Sequence, residues 1–184
     1  AIGPTLGVNR DVETNGTHSA SSTADDTTGS SDDEDGVVFV GASLVASSLG
    51  ASTGQVQINL QNADATANKL DAWIDFNADG DWIDVGEQIL TSFNLGTTNG
   101  TQTVNFTIPQ KSGSNIVVGV NVARFRLSTA GGLAVTGEAA NGEVEDHVVA
   151  LAINETVNLP AIGGPFTVLR VGNELHVRQA NGTE

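Results

Sequence analysis

The stretch Leu70-Asp71-Ala72-Trp73-Ile74-Asp75-Phe76-Asn77-Ala78-Asp79-Gly80-Asp81-Trp82-Ile83-Asp84-Val85-Gly86-Glu87 decides how this chain folds. Its first half alternates, with Ala72, Ile74 and Phe76 on one face of an extended segment and Asp71, Trp73 and Asp75 on the other. Its second half places oxygen-bearing side chains at 75, 77 and 79 and follows them with Gly80. Ca²⁺ takes roughly 6–8 oxygen ligands at about 2.3–2.6 Å, and a glycine permits the sharp turn that brings them to one point. A strand that runs directly into an oxygen-rich loop predicts a β scaffold carrying a calcium site.

Asp75, Asn77, Asp79 and Gly80 match positions 1, 3, 5 and 6 of the EF-hand loop, and Asp81 falls where that loop supplies a backbone carbonyl. The match fails at its end: position 12 is Gly86, and the closing acid arrives one residue late, at Glu87. The expected ligands are therefore Asp75, Asn77, Asp79 and Asp81, with Asp84 or Glu87 completing the shell. An acidic β-turn is the plainer alternative, since Asp, Asn and Gly also suit turns. Five coordinated features in so short a segment favour the cation loop.

Composition sets limits on the rest. The chain has 184 residues, enough for one domain of ordinary size with a fragment of a second. It carries 7 basic against 22 acidic residues, a formal charge of −15. Such a surface repels nucleic acid and anionic membranes and attracts divalent cations. The acids cluster at 25–35, 71–87 and 138–146, where bound cations would relieve their mutual repulsion. With no cysteine, neither a disulfide nor a thiolate metal site is available, which leaves calcium as the staple. Sites with Kd of roughly 10⁻⁴–10⁻³ M fill at extracellular calcium levels, so a secreted or cell-surface location is expected. No apolar run reaches the ~18 residues of a membrane span, so no membrane insertion is expected. The opening Ala1-Ile2-Gly3-Pro4 lacks a methionine and is read as the start of a mature or excised piece.

Residues 1–35, rich in Ser, Thr, Asp and Gly, read as an acidic lead-in that metal partly orders. From 36 to 153 the pattern is β throughout. Gly36–Val40 is a short apolar run, and Gln55–Leu60 and Thr101–Ile108 alternate cleanly, the latter stopping at Pro109. In Ile116–Leu127, Ile116, Val118, Val120 and Val122 share a face before parity shifts to Phe125 and Leu127, which predicts a bulge near Ala123. Val144–Ile153 closes the set. The fold class is all-β, an antiparallel β-sandwich of jelly-roll or Ig-like type with calcium-binding loops. Residues 154–184 lie beyond it. There Phe166–Arg170 and Glu174–Arg178 form a hairpin that begins a following module or docks on the sandwich.

A second constellation is Gly142-Glu143-Val144-Glu145-Asp146-His147. On a strand, Glu143 and Glu145 share a face with Cα atoms about 6.5–7 Å apart, and Arg124, Arg126 or a cation between them would relieve their repulsion. A charged strand end is the plainer alternative. Ala123-Arg124-Phe125-Arg126-Leu127-Ser128 followed by Gly142-Glu143-Val144-Glu145-Asp146 resembles the GEVED domain, named for that pentapeptide. Asp75–Glu87 resembles the same family's D-x-N-x-D-G-x-W segment, and Asp32-Asp33-Glu34-Asp35-Gly36-Val37 its acidic opening motif. The resemblance spans roughly residues 25–153. His147 departs from it, standing where a tyrosine is usual, and this change should alter a hydrogen bond and not the fold. The resemblance implies a non-catalytic β module of large secreted or surface-attached bacterial proteins, set beside adhesion-type and protease domains.

The expected function is a calcium-stabilised structural or adhesive module, with fibre formation within its scope. A second calcium site would join Asp32, Asp33 and Asp35 to Glu143, Glu145 or Asp146. The alternative is a carbohydrate-binding module in which Trp73 or Trp82 stacks on a glycan; that the indoles instead shield the loop is favoured. Partners would be neighbouring modules of the same polypeptide or identical subunits, the hairpin strands completing a neighbour's sheet. Catalysis is not expected. Glu143 and Glu145 satisfy the carboxyl spacing of glycoside hydrolysis, about 5–9.5 Å, but no sugar-lined cleft is indicated. His18, His147 and His176 lack metal-protease or triad spacing.

Overall fold

The computed structural model describes residues 3–9, 34–112 and 114–154, together with the backbone of two strands at 166–171 and 174–179. The elements are β1 (Thr5–Leu6), β2 (Val37–Phe39), β3 (Leu44–Ser47), β4 (Ser52–Gln61), β5 (Lys69–Ile74), β6 (Gln88–Asn94), β7 (Gly100–Ile108), β8 (Gly119–Ser128), β9 (Glu143–Asn154), β10 (Phe166–Val171) and β11 (Glu174–Gln179). They are all strands, as the period-2 patterning requires.

Two sheets face one another. In the four-stranded sheet β4 is central, with β7 along one side. Along its other side lie β1 and β2 in tandem, Leu6 opposite Leu60 and Val37 opposite Ile58. The five-stranded sheet runs β3-β9-β8-β5-β6. Each strand turns alternate residues inward: Val56, Ile58 and Leu60 from β4, Val104, Phe106 and Ile108 from β7, Leu70, Ala72 and Ile74 from β5, and Ala123, Phe125 and Leu127 from β8. Phe39 meets Phe106 and Phe125 edge-to-face, at 6.4 and 5.9 Å, and so links the sheets. The strands β10 and β11 pair antiparallel, Phe166 opposite Gln179, matching the expected hairpin.

Several details differ from the sequence reading. The sandwich is not wholly antiparallel, because β3 pairs parallel to β9, Leu44 opposite Leu151. Within the residues read as a lead-in, Thr5-Leu6 forms a strand, and Leu6 is fully buried. The bulge expected near Ala123 is absent: β8 keeps a constant register with β9 from Gly119 to Leu127, and with β5 from Ala123 to Ser128. The apparent parity shift arises because Val118 and Val120 face outward and are exposed, while buried Ile116 precedes the strand. The irregularity lies instead in β6, whose pairing with β5 shifts register twice. Those shifts erase the alternation that would have marked β6 in the sequence.

Candidate metal site

Residues 75–87 connect β5 to β6 on the five-stranded sheet. Three side chains wind the loop by accepting an N–H two residues on: Asp79 N–H to Asn77 Oδ1 at 2.9 Å, Asp81 N–H to Asp79 Oδ1 at 3.2 Å and Ile83 N–H to Asp81 Oδ1 at 3.0 Å. Gly80 adopts φ +93°, a conformation costly for residues with a β-carbon. The winding gathers carboxylate oxygens of Asp79, Asp81 and Asp84 within 4.8 Å of one another. The Asn77 amide donates to both Asp79 Oδ2 (2.9 Å) and Asp84 Oδ2 (2.6 Å), holding two acids of that cluster together.

Asp75 and Glu87 are the loop's buried acids, and neither belongs to that converging group of three. Asp75 is 5 % exposed; its Oδ2 accepts the Gly80 N–H at 3.0 Å, while Oδ1 is buried with no hydrogen-bond partner. Glu87 is 2 % exposed and reaches back to the loop's start, its Oε1 accepting from Phe76 N–H (3.1 Å) and its Oε2 from Asp84 N–H (3.2 Å). Burial pushes the Glu87 carboxyl up to about 7; the Asp84 and Phe76 N–H groups pull it down, and the charges of Asp75 and Asp84 add to the rise. All donors are oxygens, the set a hard cation takes. A buried carboxylate oxygen without a partner, beside a second buried acid that resists ionisation, is an electrostatic deficit that a bound cation would correct. The residues fit the ion.

The second constellation is arranged otherwise. Because β9 alternates, Glu143 and Glu145 face the interior while Asp146 faces the opposite side, so the three do not converge. Each glutamate accepts a backbone N–H from an N-terminal segment: Glu143 Oε2 from Leu6 (2.5 Å) and Glu145 Oε1 from Gly36 (2.9 Å). Glu145 Oε2 also bonds His147 Nε2 at 2.9 Å. Burial pushes the Glu145 carboxyl up against the pull of His147, and Asp35 lies near enough to add to the rise. Asp35 itself accepts from Val8 N–H (3.1 Å) and Asn9 N–H (3.2 Å). These acids thus fasten β1 and the start of β2 to the sandwich. Asp32 and Asp33 fall outside the described residues.

Neither arginine stands between Glu143 and Glu145, since Arg124 and Arg126 lie on the outer face of β8. Arg124 holds Asp146 with two bonds, Nε to Oδ1 at 2.7 Å and Nη2 to Oδ2 at 2.6 Å, and both residues are buried. Its guanidinium lies 5.0 Å from the centroid of Trp82. Arg124 also donates to Val135 O (3.1 Å), and Arg126 donates to Ala134 O and Gly137 O. Asp71 accepts Leu133 N–H at 3.1 Å. Together they clamp residues 129–142 over the sheet. Gly142, at φ +104°, ends that segment where a β-carbon would collide with Leu127 O. The sequence reading missed Asp71 and this clamp. The available signal was charge alternating in register on the outer face, Asp71 opposite Arg126 and Arg124 opposite Asp146. Trp73 and Trp82 are each 4 % exposed, so neither ring offers a face for stacking on a sugar.

A two-sheet, all-β sandwich with an oxygen-lined loop and a buried Arg–Asp clamp is the class that this geometry defines. Residues 69–150 match the family model of the GEVED domain. A comparison with curated proteins returned no match. The matched span begins at β5, so β4, central to the four-stranded sheet, lies outside it.

Proposed function

We propose that this chain is a calcium-stabilised structural or adhesive module of a secreted or surface-attached bacterial protein. The observation that carries the reading is the buried, partnerless Asp75 Oδ1 in the same loop whose Asp79, Asp81 and Asp84 carboxylates converge. Asp75, Asn77, Asp79, Asp81, Asp84 and Glu87 would hold the ion, which supplies positive charge where buried and clustered carboxylates otherwise repel. The loop is rooted in the sheet, with Asp75 N–H bonded to Val122 O at 2.9 Å and Ile74 N–H to Glu87 O at 2.9 Å. Ordering it therefore braces β5 against β6 and β8. That is the task of a staple and not of a sensor that opens a groove. Asp79 and Asp84 are exposed, so the site is open to the millimolar calcium found outside cells, which supports the location.

The test is a thermal melt of the intact chain in EDTA and in 2 mM calcium. For a Kd of about 10⁻⁴ M, linkage gives about 1.8 kcal/mol, or a rise of roughly 4–7 °C for a domain of this size. An unchanged melting temperature overturns the staple.

A further inference from the structure

We propose that β7 is a self-association edge, across which two copies of this chain pair antiparallel to form one continuous sheet. The inference is independent of the calcium reading, because the cation loop belongs to the other sheet.

Strand edges expose unpaired N–H and C=O groups, and proteins guard them with short strands, bulges, proline or charge. Three of the four edges of the two facing sheets are guarded. β6 carries two register shifts. β3 has four residues, and the tandem β1 and β2 have two and three. β7 is the exception. It runs nine residues, pairs with β4 from Gly100 to Ile108 without a register shift, and has no second strand partner among the described residues. It contains no proline and no charged residue.

The charge pattern selects the occupant. The chain has a formal charge of −15, so two copies repel over most approaches. Yet none of the strands β1, β2, β4 and β7 contains a charged residue, and residues 36–62 and 88–110 are free of charge throughout. The outer face of this sheet is a plane of exposed Thr53, Gln55 and Gln57 on β4 beside Thr107, Asn105 and Thr103 on β7. An acidic or basic partner finds nothing there to recognise. A second copy finds a neutral edge identical to its own, and antiparallel pairing about a two-fold satisfies both rows of backbone groups at once. Hydroxyl and amide side chains then stand opposite one another across the junction.

The experiment is sedimentation equilibrium by analytical ultracentrifugation of the full chain over a wide concentration range, at NaCl from about 0.05 to 0.5 M, with calcium and with EDTA. Wild type should shift from monomer toward dimer mass in both buffers, and more so as salt screens the remaining repulsion. Thr103→Lys places a charge on the edge strand and should weaken association at least tenfold. Gln57→Lys places the same charge on the same face, directly opposite Thr103 but one strand inward, and should leave association within about twofold of wild type. Thermal melts of both variants confirm folding. A wild type that stays monomeric throughout overturns the proposal, as does Thr103→Lys associating like wild type. Equal weakening by both variants overturns it too, since that result means face-to-face stacking. Loss of association in EDTA alone would overturn its independence from the cation site.

Discussion

At the residue scale, Glu87 makes the loop's chemistry measurable. Its carboxyl is raised from an ordinary 4.5 to about 7, chiefly by burial, so the folded state holds a proton that the unfolded chain has lost. In cation-free protein the associated stability is present below about 4.5 and is lost as pH rises to about 7. The raised Glu145 carboxyl acts with the same sign. Melting temperatures in EDTA should therefore fall between pH 5 and pH 8, and Glu87→Gln should flatten much of that slope. Calcium, which competes with the proton, should raise the melting temperature more at pH 8 than at pH 5.5. Asp75→Asn gives a complementary result. It keeps an acceptor for Gly80 N–H and removes a buried charge, so the EDTA melt should hold or rise while the calcium response is lost. Differential scanning calorimetry of the two forms reads both numbers. The oxygen-bearing side chains at 75–87 were legible because they lie close in sequence. The burial of Asp75 and Glu87 was not, because their exposure depends on what the sheets place over them.

At the scale of elements, the β8–β9 pair shows what strand alternation decides. Glu143, Glu145 and Asp146 are neighbours in sequence, but strand alternation sends Asp146 to the opposite face, where Arg124 holds it. Removing one member of a buried ion pair strands the other charge, so Asp146→Ala should cost about 3–5 kcal/mol in chemical denaturation. The double substitution Arg124→Met with Asp146→Leu should cost less than Asp146→Ala alone, since no buried charge is left uncompensated. Clean alternation made β4, β5, β7 and β9 readable in the sequence. β6 was hidden by its bulges, β3 by its brevity, and β1 by a polar neighbourhood that says nothing of distant Glu143.

At the scale of the whole molecule, charge is segregated: one sheet is built of uncharged strands, and among the described residues of 3–154 the acids gather on the loops and on the five-stranded sheet. In EDTA, raising NaCl from 20 mM to 0.5 M should raise the melting temperature by screening the acid clusters, and the added effect of calcium should shrink in the same series. By itself the sequence determined the all-β class, the inward rows of β4, β5 and β7, and the run of oxygen-bearing side chains at 75–87. Each of these follows from local periodicity or from donors a few residues apart. Only the tertiary structure decided that Glu143 and Glu145 fasten β1 and β2, that Arg124 and Asp146 form a clamp under Trp82, and that β7 is left at a sheet edge. Those outcomes depend on which strands become neighbours, and register between segments separated by tens of residues is set by burial across the whole core.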